Sequence, residues 1–113
     1  MARYRLTIRH GSSVERESFD ELGEAVASVE RHVQEIRGEG PLEEINALRD
    51  FEPGQRVQAR LELSTGGLLR GREVGIDVMG DGGLVPYAGV VRKRLLEPTE
   101  GKTAFDAVRE ALS

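Results

Sequence analysis

His10 and His32 are the only histidines in the chain, so any chemistry that needs a base near neutral pH starts from them. A serine activated by histidine needs its hydroxyl within hydrogen-bond reach of the ring and a carboxylate behind it. Ser12, Ser13, Ser28 and Ser64 qualify by residue type, and none stands in a nucleophile elbow. The two histidines show no H-x-x-x-H or related spacing, so a zinc site completed by glutamates has no signature. The chain has no cysteine, which removes disulfides, thiolate metal sites and a cysteine nucleophile. His10 closes an extended run and His32 borders an apolar helical stripe, so both read as structural or surface residues. No catalytic residue, metal ligand or cofactor motif is expected, and the chain is not expected to be an enzyme.

Arginines form the other set with chemical potential. In "RYRLTIRH", residues 3 to 10, Tyr4, Leu6 and Ile8 fall on one side of a strand while Arg3, Arg5 and Arg9 fall on the other. "QRVQARLELS" repeats the pattern, with Val57, Ala59, Leu61 and Leu63 inward and Arg56, Gln58, Arg60 and Glu62 outward. Arg92 and Arg94 join the same outer face if Tyr87 and Val91 point inward. Arg3, Arg5, Arg9, Arg56, Arg60, Arg92 and Arg94 would then form a face for a polyanion or an acidic partner. Glu62, Glu73 and Asp77 share that face, and no aromatic residue is expected there for bases to stack on. A solvated face laced by cross-strand ion pairs is the competing reading.

Two glycine loops carry no phosphate-binding signature. "STGG" and "GDGG" lack the Walker lysine, and neither opens a helix as a G-x-G-x-x-G turn does. Both read as hairpin turns. Asp81 is a single carboxylate without the spaced partners of a calcium loop.

Charge is unevenly placed. The net charge is −4, but residues 18 to 52 hold ten acids against Arg31, Arg37 and Arg49. That segment is −7 and the remainder +3. Fourteen of the sixteen basic residues are arginine, which suits bidentate phosphate binding and which GC-rich codon usage also produces.

The elements that would position these residues follow from periodicity. A strand over about residues 2 to 10 meets the turn signal "HGSS", and "VERESF" follows, so a β-hairpin is expected. A three-residue loop would set Arg9 opposite Glu15 and Thr7 opposite Glu17, neutralising part of the arginine row. Ser18 and Glu21 have capping-box spacing, with Asp20 in the first turn. Leu22, Ala25, Val26, Val29, Val33 and Ile36 then make one helical stripe, ended by Gly38 and Gly40. Residues 41 to 54 suit either a short helix or a strand. Three strands come next: "QRVQARLELS", "REVGIDVM" with Val74, Ile76 and Val78 inward, and "LVPYAGVVRKRLL", where Pro86 suggests an edge. Thr103 and Asp106 cap a final helix whose Phe105, Val108, Ala111 and Leu112 face one way.

The order ββαβββα implies a single α+β domain over residues 1–113. It would be a two-layer sandwich, a mostly antiparallel sheet of about five strands with two amphipathic helices on one face. Val29 is expected at the centre of the core, facing Leu61 and Ile76, with Phe105 beside them. "MARYRLTIRH" is neither a signal peptide nor a membrane anchor, so a soluble, cytoplasmic protein without membrane partners is expected.

Helix, three strands, helix over roughly residues 20 to 112 resembles the topology of the double-stranded-RNA-binding domain. In that family a run of lysines at the start of the last helix grips phosphates. The matching stretch here, "GKTAFDAVREAL", holds Lys102 followed by Asp106 and Glu110, and the first helix is acidic. The resemblance therefore assigns no binding residue. The expected function is a small non-catalytic protein-interaction module that binds a protein partner or itself. Short strands leave edges, and edge pairing is a simple route to a homodimer. The alternative is RNA or DNA binding by the arginine face.

Overall fold

The computed structural model describes residues 3–39, 57–65, 72–89, 94–98 and 101–112. In chain order the elements are β1 (Tyr4–His10), β2 (Ser13–Phe19), α1 (Leu22–Gly38), β3 (Val57–Thr65), β4 (Glu73–Met79), β5 (Leu84–Ala88), β6 (Arg94–Leu95) and α2 (Ala104–Leu112). Six strands form one sheet in the order β2-β1-β3-β4-β5-β6, every neighbouring pair antiparallel. Both helices pack on one face, giving the expected two-layer α+β architecture in the order ββαββββα. The sheet has six strands rather than about five because the last expected strand is divided. Gly89, at φ +109°, follows the end of β5, and β6 returns beside it. The ambiguous stretch 41 to 54 lies outside the described residues.

Alternation on the strands and the helical stripe meet in one core. Leu6, Ile8, Leu61, Leu63, Val74 and Ile76 come from the sheet, and they pack with Ala25, Val29, Val33 and Val108 from the helices. Val29 is 2% exposed and Ile76 fully buried, as the stripe predicted. Phe105 is only partly buried at the margin of this cluster, and Val108 takes the deep position on α2. No described helix is long and apolar enough to cross a membrane.

Local signals fared differently at the two helix starts. Thr103 and Asp106 form the expected capping box before α2: Asp106 N–H donates to Thr103 Oγ1 at 3.2 Å, and Thr103 N–H to Asp106 Oδ2 at 2.9 Å. That backbone bond is the main reason the Asp106 pKa is lowered. At α1 the expected Ser18–Glu21 box is absent. Ser18 belongs to β2, opposite Arg5, and the helix starts at Leu22 with no side-chain cap from Glu21. Running β2 on to Phe19 pairs it with Tyr4, and both rings pack at the core margin.

Two registers decide which side chains reach which face. The β1–β2 turn has two residues, Gly11 and Ser12, with Gly11 at φ +61°, which suits the first central position of a type II′ turn. His10 therefore faces Ser13, Arg9 faces Val14 and Thr7 faces Arg16. The pairing differs by one residue from a three-residue loop, and a shift of one turns every β2 side chain to the other face. In β4–β5, Ile76 faces Pro86 and Gly75 faces Tyr87. Gly89 N–H donates to the Glu73 carbonyl at 2.8 Å, so alternate residues Tyr87 and Val85 also direct their amides at β4. The Pro86 nitrogen then points to the β6 side, where only two residues pair and a missing donor costs little.

Candidate functional site

The sheet face away from the helices carries three of the seven expected arginines. Arg5 and Arg9 on β1 and Arg60 on β3 lie there, with Arg3 exposed just before β1. Arg56 and Arg92 lie outside the described residues. Arg94 does not join the face. It pairs with Ala88, which shares a side with Val74, so Arg94 sits on the helix side near Ala111 of α2. The condition for including it also fails, because Tyr87 is on the open face. Arg16 is the member that sequence reasoning missed. The two-residue turn sets it opposite Thr7, diagonal to both Arg5 and Arg9. Glu15 and Glu17, expected to neutralise the row, face the helices instead.

Neutralisation comes from β3 and β4. Arg9 Nε lies 3.2 Å from Glu62 Oε1. Arg60 binds Asp77 through both nitrogens of its fork, Nε to Oδ1 at 2.7 Å and Nη2 to Oδ2 at 3.0 Å. This hydrogen-bonded carboxylate is the main reason the Arg60 pKa is raised. The same guanidinium stands 5.7 Å from the centroid of the Tyr87 ring. Tyr87 is 1% exposed, and its burial pushes the phenol pKa well above the ordinary range. Gly75 makes room for it: a Cβ there would overlap the Tyr87 hydroxyl and stand 2.7 Å from the Leu61 carbonyl oxygen. A glycine inside a strand is a known mark of such close approach. Arg3, Arg5 and Arg16 carry no ion pair among the described residues.

On the helix side, the β1–β2 hairpin and α1 bring Ser28 and His32 together with Glu17 and Glu35. The Ser28 hydroxyl donates to Glu17 Oε1 at 2.5 Å, and Arg31 Nη2 donates to Ser28 Oγ at 3.3 Å. His32 Nε2 is 3.3 Å from Glu17 Oε2, off the line of a hydrogen bond, and His32 Nδ1 is 3.8 Å from Glu35 Oε2. Serine, histidine and two carboxylates are thus adjacent, but the hydroxyl is directed at a carboxylate rather than at the imidazole. Ser28 is also buried, at 3% exposed. The cluster ties β2 to α1. The Ser28 bond is the largest cause of a lowered Glu17 pKa, helped by His32 and Arg31. Ser28 and His32 stand four residues apart on one helix face, a spacing visible in the sequence.

Beside this tie is a cavity of about 220 Å³, floored by Ile8 and Ile36 and lined by His10, Glu15, His32, Glu35 and Glu39. His10 Nε2 lies 3.5 Å from Glu39 Oε1. No three metal-ligating side chains among the described residues converge on one point. A larger cavity of about 400 Å³ lies between β4, β5, β6 and α2, with Arg72, Glu73 and Arg94 around Val74, Ala88 and Ala111. Its described lining holds no histidine or hydroxyl. Asp81 accepts the Gly83 amide at 2.8 Å and so shapes the β4–β5 turn. Lys102 is engaged by Glu110, whose hydrogen bond is the main reason the lysine pKa is raised. No family model, curated protein or solved structure matches the chain.

Proposed function

We propose that the chain is a non-catalytic protein-interaction module that accepts an extended segment of a partner along β2. The observation that carries this reading is the edge itself. β2 runs for seven residues at one end of the sheet and is mostly exposed. The Phe19 carbonyl accepts from Arg3 N–H, so Phe19 and its alternate residues face β1. The amides and carbonyls of Val14, Arg16 and Ser18 then point away from the sheet. Natural edges are blunted by proline, bulges, shortening or charged side chains. β2 carries only the last, in Glu15, Arg16 and Glu17, which leaves its main chain open to a strand of complementary charge. The opposite edge is blunted: β6 has two residues and the Pro86 nitrogen faces it.

Ser18→Pro tests the reading, because it removes an outward donor and leaves the β1 ladder intact. Nuclease-treated pull-downs with parent and variant should differ in the captured partner while melting curves agree. Equal capture by the two would discard β2 as the binding edge.

A second reading is polyanion binding by Arg3, Arg5 and Arg16, favoured by the register that sets Arg16 beside Arg5 and Arg9. It requires a low-salt electrophoretic shift with RNA or DNA that Arg5→Glu and Arg16→Glu abolish. A shift indifferent to both changes removes it.

A further inference from the structure

The partner strand can be described chemically, and this step rests on strand addition at β2. Each side of β2 carries one sign of charge. Glu15 and Glu17 face the helices, and Arg16 faces the open side next to Arg5 and Arg9. A second copy joined edge to edge into one continuous sheet must pair antiparallel about a two-fold axis. Opposed residues then share a face, so Glu15 and Glu17 of one copy can meet only Ser13, Glu15, Glu17 or Phe19 of the other. Arg16 likewise meets Val14, Arg16 or Ser18. Every register that overlaps five or more of the seven residues sets Glu15 or Glu17 against a glutamate, and none brings a cation to them. The edge that is open to strand addition is therefore charged against its own copy.

Glu15 is exposed and has no ion pair among the described residues. It also lines the 220 Å³ cavity together with Glu35 on α1, Glu39 just past the end of α1, and His10 and His32 beside them. An added strand would lie directly beside Glu15, and every second side chain of that strand would point to the cavity side. Strand addition takes affinity from main-chain bonds and specificity from pockets for alternate side chains. From this juxtaposition we infer that the partner is an extended segment with a lysine or arginine on the helix side of β2. Its cation enters the cavity between Glu15, Glu35 and Glu39, and its aliphatic stem lies on Ile8 and Ile36. A second copy of this chain is not the partner.

Two capped nine-residue peptides of alternating valine and threonine test this, one with a central lysine and one with norleucine in its place. Binding is read from backbone amide shifts of Val14, Arg16 and Ser18 in the full chain. The lysine peptide should bind at least tenfold more tightly at low salt. That advantage should disappear in 1 M salt and in the Glu15→Gln, Glu39→Gln variant. Equal binding of both peptides would overturn the basic side chain and leave strand addition standing. If neither peptide moved the β2 amides, strand addition itself would fall. Lysine-dependent binding that leaves those amides unmoved would make the cavity a cation site unconnected to the edge, and would also overturn the inference. Light scattering at high micromolar concentration should show a monomer. A dimer that Ser18→Pro dissolves would identify the second copy as the partner after all.

Discussion

The open face of the sheet is closed at one end and available at the other. At the β4–β5 end, Tyr87 lies buried over Gly75 beneath an arginine held at two points by Asp77. At the β1–β2 end, Arg3, Arg5 and Arg16 stand exposed, and the hairpin's own stabilising contacts, from Glu17 to Ser28 and Arg31, are made on the opposite side. The charged groups are of similar kinds, but their roles differ. An arginine whose carboxylate partner lies on the adjacent strand becomes a roof for an aromatic ring. An arginine surrounded by other arginines and by Thr7 stays in solvent, where a partner can use it.

Deleting the ring should break the closed end most severely. Tyr87→Ala removes a buried aromatic side chain, at about 3–5 kcal/mol for a site that cannot collapse. Gly75→Ala should come close behind, near the upper end of the roughly 1–3 kcal/mol typical of overpacking. The neighbours it meets are a ring and the Leu61 backbone carbonyl, and the latter has little freedom to move. The double variant should cost less than the sum of the two, because the clash with the ring vanishes while that with Leu61 remains. Urea melts of the three proteins check this. Strict additivity would mean that Tyr87 does not lie across Gly75.

Arg60→Ala should come next, at about 1–2 kcal/mol, since it removes a bidentate charged pair that solvent partly screens. The Tyr87 ring should become accessible at the same time. Solvent quenching of tyrosine fluorescence should rise in this variant and stay at the parental level in Arg5→Ala.

The difference between the ends also explains what could be read from the sequence. α1 and β3 announced their faces because apolar residues recur at one spacing only, from Ala25 to Ile36 and from Ala59 to Leu63. β5 offered no such contrast. Leu84, Pro86 and Ala88 on one side are about as apolar as Val85 and Tyr87 on the other, so periodicity cannot choose, and the inward Tyr87 on which the placing of Arg92 and Arg94 depends is not the one the pairing gives. Gly75 held the missing information, since an outward glycine in mid-strand marks the place where a ring can lie flat. β2 failed for another reason. "HGSS" accommodates a loop of two or three residues, and each choice sends a different half of "VERESF" to the helices. Gly11 before Ser12 is itself a type II′ signal for the shorter loop, and the choice is held by contacts no local pattern records, Phe19 with Tyr4 at the core margin and Glu17 with Ser28 across two elements. The shape of the candidate binding edge was hidden in that single residue of register.

Glu17 then offers a smaller test, on the helix side of the available end. Its folded pKa is lowered, first by the Ser28 hydroxyl and then by His32 and Arg31. A depressed carboxylate pKa stabilises the fold above the unfolded value, about 4.3 for glutamate, and that stability is lost as pH falls through the folded value. Glu17→Gln should cost about 1 kcal/mol at neutral pH, because one charged hydrogen bond is weakened at a partly exposed site. The gap between parent and variant should start to close as pH falls below the unfolded value of about 4.3 and vanish below the lowered folded value, where the parental carboxylate is protonated. A gap that stays constant from pH 7 to pH 3 would show that the Glu17 charge contributes nothing to holding β2 on α1.

The smallest expected effect is the one that separates the two ends most clearly. Arg5→Ala and Arg16→Ala should each change stability by less than about 0.5 kcal/mol, as for exposed side chains outside any ion pair. Combining them should be neutral or slightly stabilising, because the pair sits diagonally across β1 and β2 and shares one sign of charge. Urea melts at low and high salt read this directly, since any repulsion relieved by the substitutions fades as salt screens it. If the double variant were instead destabilised as much as Arg60→Ala, these arginines would be part of the fold. The hairpin end would then be as closed as the other, with no surface left over for a partner.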